Sequence, residues 1–191
     1  MEFEKRSNPS GNNICIDERA TLIQNDMIHI ADDVIVGMYA TINASPKIKT
    51  TLSKEGIYIG KKSKIGAFSI LESVGGYISL GEECSIKEYC LIYGTGGVEI
   101  GNYVRIATHV SIIAENHNYD DIHLPIFRQG VSYKGIKIGN DVLIGTRTVI
   151  LDGVTIEDGC VVGAGSVVTD SIPPNSVVVG NPAKILRERG R

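Results

Sequence analysis

Aliphatic residues recur at every sixth position along most of this chain, and that period constrains its fold more than any other property. Ile30, Val36, Ile42 and Ile48 open the series, followed by Ile59, Ile65 and Leu71. It resumes at Leu80, Ile86 and Ile92, then at Ile100, Ile106 and Ile112, and runs unbroken from Ile138 through Ile144, Ile150, Ile156, Val162 and Val168. The second position of a unit is often Gly, as in Gly37, Gly60, Gly66, Gly81, Gly101, Gly139, Gly145 and Gly163. The fifth is small or β-branched, as in Ser63, Ser69, Cys84, Cys90, Val104, Val142, Thr148, Cys160 and Ser166. A period of six matches neither a 3.6-residue helix nor a free two-residue strand. It fits a short strand plus a corner, three of which close one triangular coil of about 18 residues. The aliphatic first position then points into the prism, Gly follows where a Cβ would crowd the corner, and the fifth position also faces a narrow interior.

The composition agrees. The chain has 28 Ile and 17 Val against 9 Leu, with 22 Gly and no Trp in 191 residues. Ile and Val favour pleated strands and Leu favours helices, so a helical bundle is excluded. The apolar content of 42% excludes disorder. A net charge of −3 gives no electrostatic case for nucleic-acid or membrane-surface binding. The polar N-terminus lacks a signal-peptide core and no apolar run approaches a membrane span, so the expectation is a soluble, cytoplasmic protein. Cys15, Cys84, Cys90 and Cys160 form no CxxC pair and no zinc spacing, and are expected to be small buried thiols.

Two interruptions stand out. Short insertions near Ser79 and Gly97 shift the phase at coil corners without ending the solenoid. Residues 118–135 (NYDDIHLPIFRQGVSYKG) are too long and too rich in Pro, Gly and charge for a coil, and such loops on compact scaffolds usually carry function. The repeat ends near Ile172-Pro173-Pro174-Asn175, and Val177-Val178-Val179 make a last extended run. The expected division is a β-helix domain over 1–183, with 118–135 as an inserted loop, and a basic cap over 184–191 that starts as a short helix.

The repeats, the segment IIAENH and the ending from Ile138 to Arg187, with its GNPAK, resemble the hexapeptide-repeat acyltransferases. The branch they are most similar to is the sugar O-acetyltransferases, which includes galactoside, maltose and surface-polysaccharide enzymes. The resemblance implies an all-β, left-handed parallel β-helix, a homotrimer with active sites between subunits, acetyl-CoA as donor, no metal, and a role in polysaccharide biosynthesis. Handedness cannot be read from the period, since crossovers are nearly always right-handed.

In this motif His117 follows Asn116 immediately before the long loop. An alcohol is a poor nucleophile until its proton is leaving, and a neutral imidazole suits that removal. His117 is therefore the expected general base, acting without an acyl-enzyme, with Asn116 beside it and Asp120 completing an NHxxD string. Tyr119 and Glu88 are expected to contact the acceptor. Glu88 stands about where many relatives carry an acceptor-binding asparagine. For the donor, Gly145, Thr146, Ala164 and Thr169 match positions that contact the pantetheine arm, and Lys184 and Arg187 match basic positions that meet the nucleotide phosphates. Leu143 and Asp170 depart from the family, where some members have tryptophan and lysine. His109 is expected to face outward from its unit, and His29 and His123 have no motif support.

The leading expectation is acetyl-CoA-dependent transfer to a sugar or cell-surface glycan hydroxyl. The alternative is N-acetylation of an amino sugar, nucleotide-linked or free, using the same base and donor. A zinc-dependent carbonic anhydrase on the same coil would need three histidines, which the spacing of His117 and His123 does not supply. A non-enzymatic scaffold would not need the NH pair, the loop and the basic end together.

Overall fold

A computed structural model describes residues 11–46 and 52–190, and Ile48 of the repeat and Arg191 of the cap lie outside them. Each six-residue unit becomes a two- to four-residue strand and a tight corner. Among the described residues the strands stack into three sheets of nine, seven and six strands, forming the faces of a prism. The first face runs from Cys15–Ile16 through Lys64–Ile65, Ser85–Ile86, Arg105–Ile106, Leu143–Ile144 and Val161–Val162 to Ser176–Val179. The second includes Thr41–Asn43, Ile70–Glu72, Leu91–Tyr93, Ser111–Ile113, Val149–Ile150 and Val167–Val168. The third includes Gly56–Ile59, Tyr77–Leu80, Val98–Ile100, Ile136–Ile138 and Thr155–Ile156. All ladders within the coils are parallel and in register, so each first-position Ile sits under its equivalent, as Ile86 under Ile106 and Ile106 under Ile144.

This stacking buries the core along the axis. Ile42, Ile92, Ile112, Ile144, Ile150 and Ile156 are wholly buried, each such side chain stabilising the fold by roughly 1.5–3 kcal/mol relative to exposure. The fifth positions are buried as well, and Ser63, Ser69 and Thr148 find carbonyls in the next coil, while Ser166 Oγ turns back to Gly163 O at 2.7 Å. Ser63 Oγ donates to Gly81 O at 2.8 Å and Ser69 Oγ to Lys87 O at 2.8 Å. The Cys84, Cys90 and Cys160 thiols face Gly101 O, Ala107 O and Pro173 O at 3.0–3.1 Å. Burial pushes all three thiols up, so they act as small core residues. Cys15 differs: it is exposed, against the expectation.

The phase shifts are not scattered. From the first face to the second the spacing stays at six, as Ile86 to Ile92 and Ile144 to Ile150, and likewise from the third to the first, as Leu80 to Ile86. Every insertion falls at the corner between the second and third faces, including those near Ser79 and Gly97 and the 118–135 loop. Only where that corner carries no insertion does the 18-residue coil appear, with Leu143 opposite Val161 and Val149 opposite Val167.

The other two corners differ in chemistry. At the corner between the third and first faces, Asp32, Asn102, Asn140 and Asp158 form a ladder in which each side chain caps a backbone N–H of the coil below. Asp32 Oδ1 accepts from Asn12 N at 2.7 Å, Asn102 Oδ1 from Glu82 N at 2.8 Å, Asn140 Oδ1 from Asn102 N at 2.9 Å and Asp158 Oδ1 from Asn140 N at 2.6 Å. At the first–second corner the fourth positions stack instead. The rings of Tyr39, Phe68, Tyr89 and His109 lie 5.0–5.2 Å apart, although all four residues take positive φ.

The end of the chain corrects one expectation. Lys184–Glu188 is not a helix but a strand, antiparallel to Ser176–Val179. A lone helical turn gains little hydrogen bonding for the entropy it loses, whereas the last coil offers a row of unpaired edge groups that a strand satisfies at once.

Candidate active site

His117 owes its position to the break in the coil. After Ser111–Ile113 the chain leaves the second face, and Asn116–His117 pairs antiparallel with Val131–Ser132, His117 standing opposite Val131. The loop is tied at its neck by Asn118 N donating to Gly130 O at 3.0 Å and Asn118 Nδ2 to Gln129 O at 3.1 Å. Gln129 does most of the internal bracing, donating to Asp121 O and Leu124 O at 2.8 Å and accepting from Asp121 N at 3.0 Å. Sequence reasoning passed over Gln129 and Asp121, since neither belongs to a motif. His117 and Asn116 are exposed, and among the described residues no side-chain hydrogen bond or ion pair engages the imidazole. Asp120 is exposed too, and no hydrogen bond or ion pair joins it to His117. At the loop tip Ile122 and Phe127 are 89% and 75% exposed, and Tyr119 62%.

The expected donor residues lie elsewhere. Glu88, Thr108, Thr146 and Ala164 are successive third positions at the first–second corner. Thr146 Oγ1 donates to Thr108 O at 2.7 Å, and the two threonine hydroxyls are 2.9 Å apart. At the third–first corner the N–H groups of Asn12, Glu82, Asn102 and Asn140 are capped by Asn and Asp side chains, whereas among the described residues the N–H groups of Thr108, Thr146 and Ala164 donate to no protein acceptor. This corner thus presents outward backbone donors, and small residues leave room to approach them. Thr108 went unnoticed in the sequence because a threonine at a corner carries no signal of its own.

One chain brings together only part of the expected set. His117, Asn116, Tyr119, Asp120 and Thr169 lie at or beyond the second–third corner, and Glu88, Gly145, Thr146 and Ala164 at the first–second corner. Lys184 and Arg187 sit on the last strand of the first face. Lys184 Nζ is 3.6 Å from Asp170 Oδ2, which also accepts from Thr169 Oγ1 at 2.9 Å. The Asp170 departure therefore supplies a local partner for the lysine. Arg189, in contrast, anchors the cap, reaching Asp141 Oδ2 at 2.8 Å and Gly159 O at 3.1 Å. His109 ends the aromatic stack and His29 stacks on Tyr58 at 4.7 Å. Among the described residues no three His, Cys, Asp or Glu side chains gather as a metal site. None of the described helices is long and apolar enough to cross a membrane.

The repeat itself matches the family described as bacterial transferase hexapeptide (six repeats), over residues 135–170. The chain is 31% identical to a hexapeptide-repeat containing acetyltransferase of Vibrio cholerae solved in complex with acetyl coenzyme A, covering 70% of this chain and 72% of that one with a TM-score of 0.63. It is 30% identical to a dTDP-4-amino-4,6-dideoxy-D-glucose acyltransferase of Escherichia coli over 72% of this chain and 74% of the relative.

The chain belongs to the hexapeptide-repeat acyltransferase family.

Its coil is accordingly the left-handed parallel β-helix. A further relative is the galactoside O-acetyltransferase of Escherichia coli, 39% identical over 61% of this chain and 56% of that one. This hexapeptide-repeat protein spans about half the length of several curated relatives that it matches.

Proposed function

We propose that the protein is an acetyl-CoA-dependent O-acetyltransferase acting on a sugar or cell-surface glycan hydroxyl, working as a homotrimer with its active sites between neighbouring copies. The observation that carries this reading is the division of the site. An exposed imidazole stands on one edge of the prism and a line of uncapped N–H donors on another. Two edges of one prism cannot meet, but edges of adjacent prisms around a threefold axis can. The apolar loop tip around Ile122 and Phe127 and the apolar corner of Met38, Tyr39, Phe68 and Tyr89 are complementary surfaces for that contact.

In the proposed reaction His117 takes the proton of the acceptor hydroxyl as its oxygen attacks the acetyl carbonyl carbon. Backbone N–H groups of the neighbour's Thr108–Thr146–Ala164 line hold the developing oxyanion or the pantetheine amides. The carbon–sulfur bond then breaks, and the imidazolium returns its proton to the departing thiolate, leaving free CoA and an acetyl ester. Gly145 keeps the corner low, Thr169 borders the groove, and Lys184 and Arg187 meet the phosphates. Asn116, Tyr119 and Glu88 shape the acceptor side, and Asp120 sets the charge beside the base. N-acylation of an amino sugar is the second reading, supported by the named activity of the dideoxyglucose acyltransferase relative.

The test follows free CoA release over a panel of sugars, amino sugars and small alcohols. His117→Ala is expected to lower turnover by about 10²–10⁴-fold. Mixed trimers of His117→Ala with Thr146→Tyr should recover part of the activity, because one of their interfaces keeps both halves intact. If no acceptor releases CoA, or the alanine variant retains full turnover, the enzymatic reading fails.

A further inference from the structure

A loop that buries almost nothing is held in place by hydrogen bonds or not at all. Residues 116–130 are such a loop: each of them is exposed except Gln129, which is half-buried. A single turn of 3₁₀ helix, Ile126–Arg128, sets Gln129 in place, with the Gln129 N–H donating to Ile126 O at 3.0 Å. From there the side-chain amide turns into the loop. Nε2 donates to Asp121 O and to Leu124 O, at 2.8 Å each, and Oε1 accepts from Asp121 N at 3.0 Å. A primary amide offers two N–H donors and one carbonyl acceptor, so this one is engaged at both ends and fixed from three directions.

The backbone of the same residue reaches the neighbour of the base. Gln129 O accepts from Asn118 Nδ2 at 3.1 Å, and the next carbonyl, Gly130 O, accepts from Asn118 N at 3.0 Å. Asn118 directly follows His117, and Val131, which follows Gly130, stands opposite His117. Gly130 takes φ +79°, and a Cβ there would meet only Asn118 Nδ2, at 3.9 Å. Glycine is therefore needed at the neck for its backbone conformation and not for room. Among the described residues no side-chain bond engages the imidazole, so its direction comes from the backbone of this hairpin. Gln129 ties the far half of the loop to that backbone.

We infer that Gln129 is a positioning residue for His117, making the exposed loop a rigid arm with the base at its root and the apolar tip of Ile122 and Phe127 at its end. The inference rests on the acetyltransferase reading and deepens it. An unbraced loop of this length samples many conformations, and ordering it as the tip meets a neighbouring copy costs conformational entropy. The glutamine does that ordering beforehand, within the folded protomer. It also keeps the imidazole inside the tolerance of proton transfer, where a displacement of about 1 Å lowers turnover by about a hundredfold.

The experiment compares the full chain with Gln129→Met and Gln129→Glu, on whichever acceptor releases the most CoA in the panel above. Methionine keeps the length of the side chain without its three hydrogen bonds. In Gln129→Met kcat is expected to fall by about 10–100-fold. KM for acetyl-CoA should stay within about twofold and the melting temperature within about 2 °C, because the loop opens without the core. Gln129→Glu sets a carboxylate against two carbonyls, and protonation restores one donor. Its kcat relative to the parent at the same pH should therefore rise by about fivefold from pH 8 to pH 5.5. Two NMR readouts need no turnover. Exchange of the Asp121 and Asn118 amides should quicken by about tenfold in Gln129→Met, and the His117 ring shifts should move toward those of free histidine. Parent-like kcat in Gln129→Met, a loss of turnover matched by a loss of folded protein, or unchanged His117 ring shifts overturns the inference. A relative activity of Gln129→Glu that stays flat with pH overturns it as well, and that arm carries the test if the methionine variant does not fold. Should no acceptor release CoA while the ring shifts and amides respond as expected, the transferase reading falls and the positioning of His117 stands. CoA release at the parent rate from Gln129→Met would leave the transferase standing and remove the role of Gln129.

Discussion

Gly145 and Gly165 sit one coil apart on the same corner, yet the fold needs glycine at each for a different reason, and alanine should separate the two. A Cβ at Gly145 would lie 2.5 Å from Ala164 N and 2.8 Å from both Ala164 Cα and Gly163 C. The shortest of these falls about 0.9 Å inside the 3.4 Å at which ordinary contact begins. The obstacles are backbone atoms, so no rotamer change relieves them. The coils must part, straining the Gly145 N–H bond to Val162 O at 2.8 Å. Overpacking of this kind costs up to about 3 kcal/mol. At Gly165 a Cβ would meet nothing within 4 Å, but φ is +70°, and the left-handed conformation costs alanine about 1 kcal/mol. At this chain length that predicts Tm losses of roughly 6–12 °C for Gly145→Ala and 2–4 °C for Gly165→Ala. Gly165→Asn should recover part of the second loss, because asparagine tolerates positive φ. Thermal unfolding at matched protomer concentration reads all three. The reasoning is refuted if Gly145→Ala melts within 1 °C of the parent, or if the two alanine variants rank in the opposite order.

The capping ladder and the second–third corner give two further expectations. Asp158 is held below the usual carboxylate range first by the Asn140 backbone N–H and then by the Asn140 side chain, so its stabilising contribution is present above the ordinary carboxylate pKa and lost as pH falls through its lowered value. Asp158→Asn keeps an acceptor for the Asn140 N–H but carries no charge, so its melting temperature relative to the parent should rise on going from pH 7 to pH 3. A constant difference would remove the electrostatic account. Ser73→Ala deletes a buried hydroxyl without a partner and should stabilise the unliganded protein by about 1 kcal/mol in urea unfolding. A loss of stability would mean that the hydroxyl is satisfied in solution.

Much of the fold was legible because its period is its geometry. Once Ile86, Ile92 and Ile100 are read as inward positions, the neighbouring residues acquire faces, and the burial of Cys84, Cys90 and Cys160 follows from their place in the unit. Local preference alone makes the tail a helix, whereas the deciding partner, the Ser176–Val179 edge, lies on the other side of the Pro182 turn. His117 stood out because a motif and a loop mark it. Gln129 and Asp121 did not, since loop bracing leaves no spacing rule. The pairing of Glu72 with Tyr93 was invisible for another reason: they are 21 residues apart, and they align only after the insertion between them has been assigned to one corner.

The sequence by itself determined that this chain coils in six-residue steps around an Ile and Val core, with His117 beside a long loop, because side-chain size and backbone sterics act within a few residues. The tertiary structure decided which corner collects the insertions, which N–H groups remain uncapped, and that His117 and the Thr108–Thr146–Ala164 line occupy different edges. Those are relations between coils, set by stacking register, and a register is fixed only when residues 18 to 38 positions apart form their hydrogen bonds.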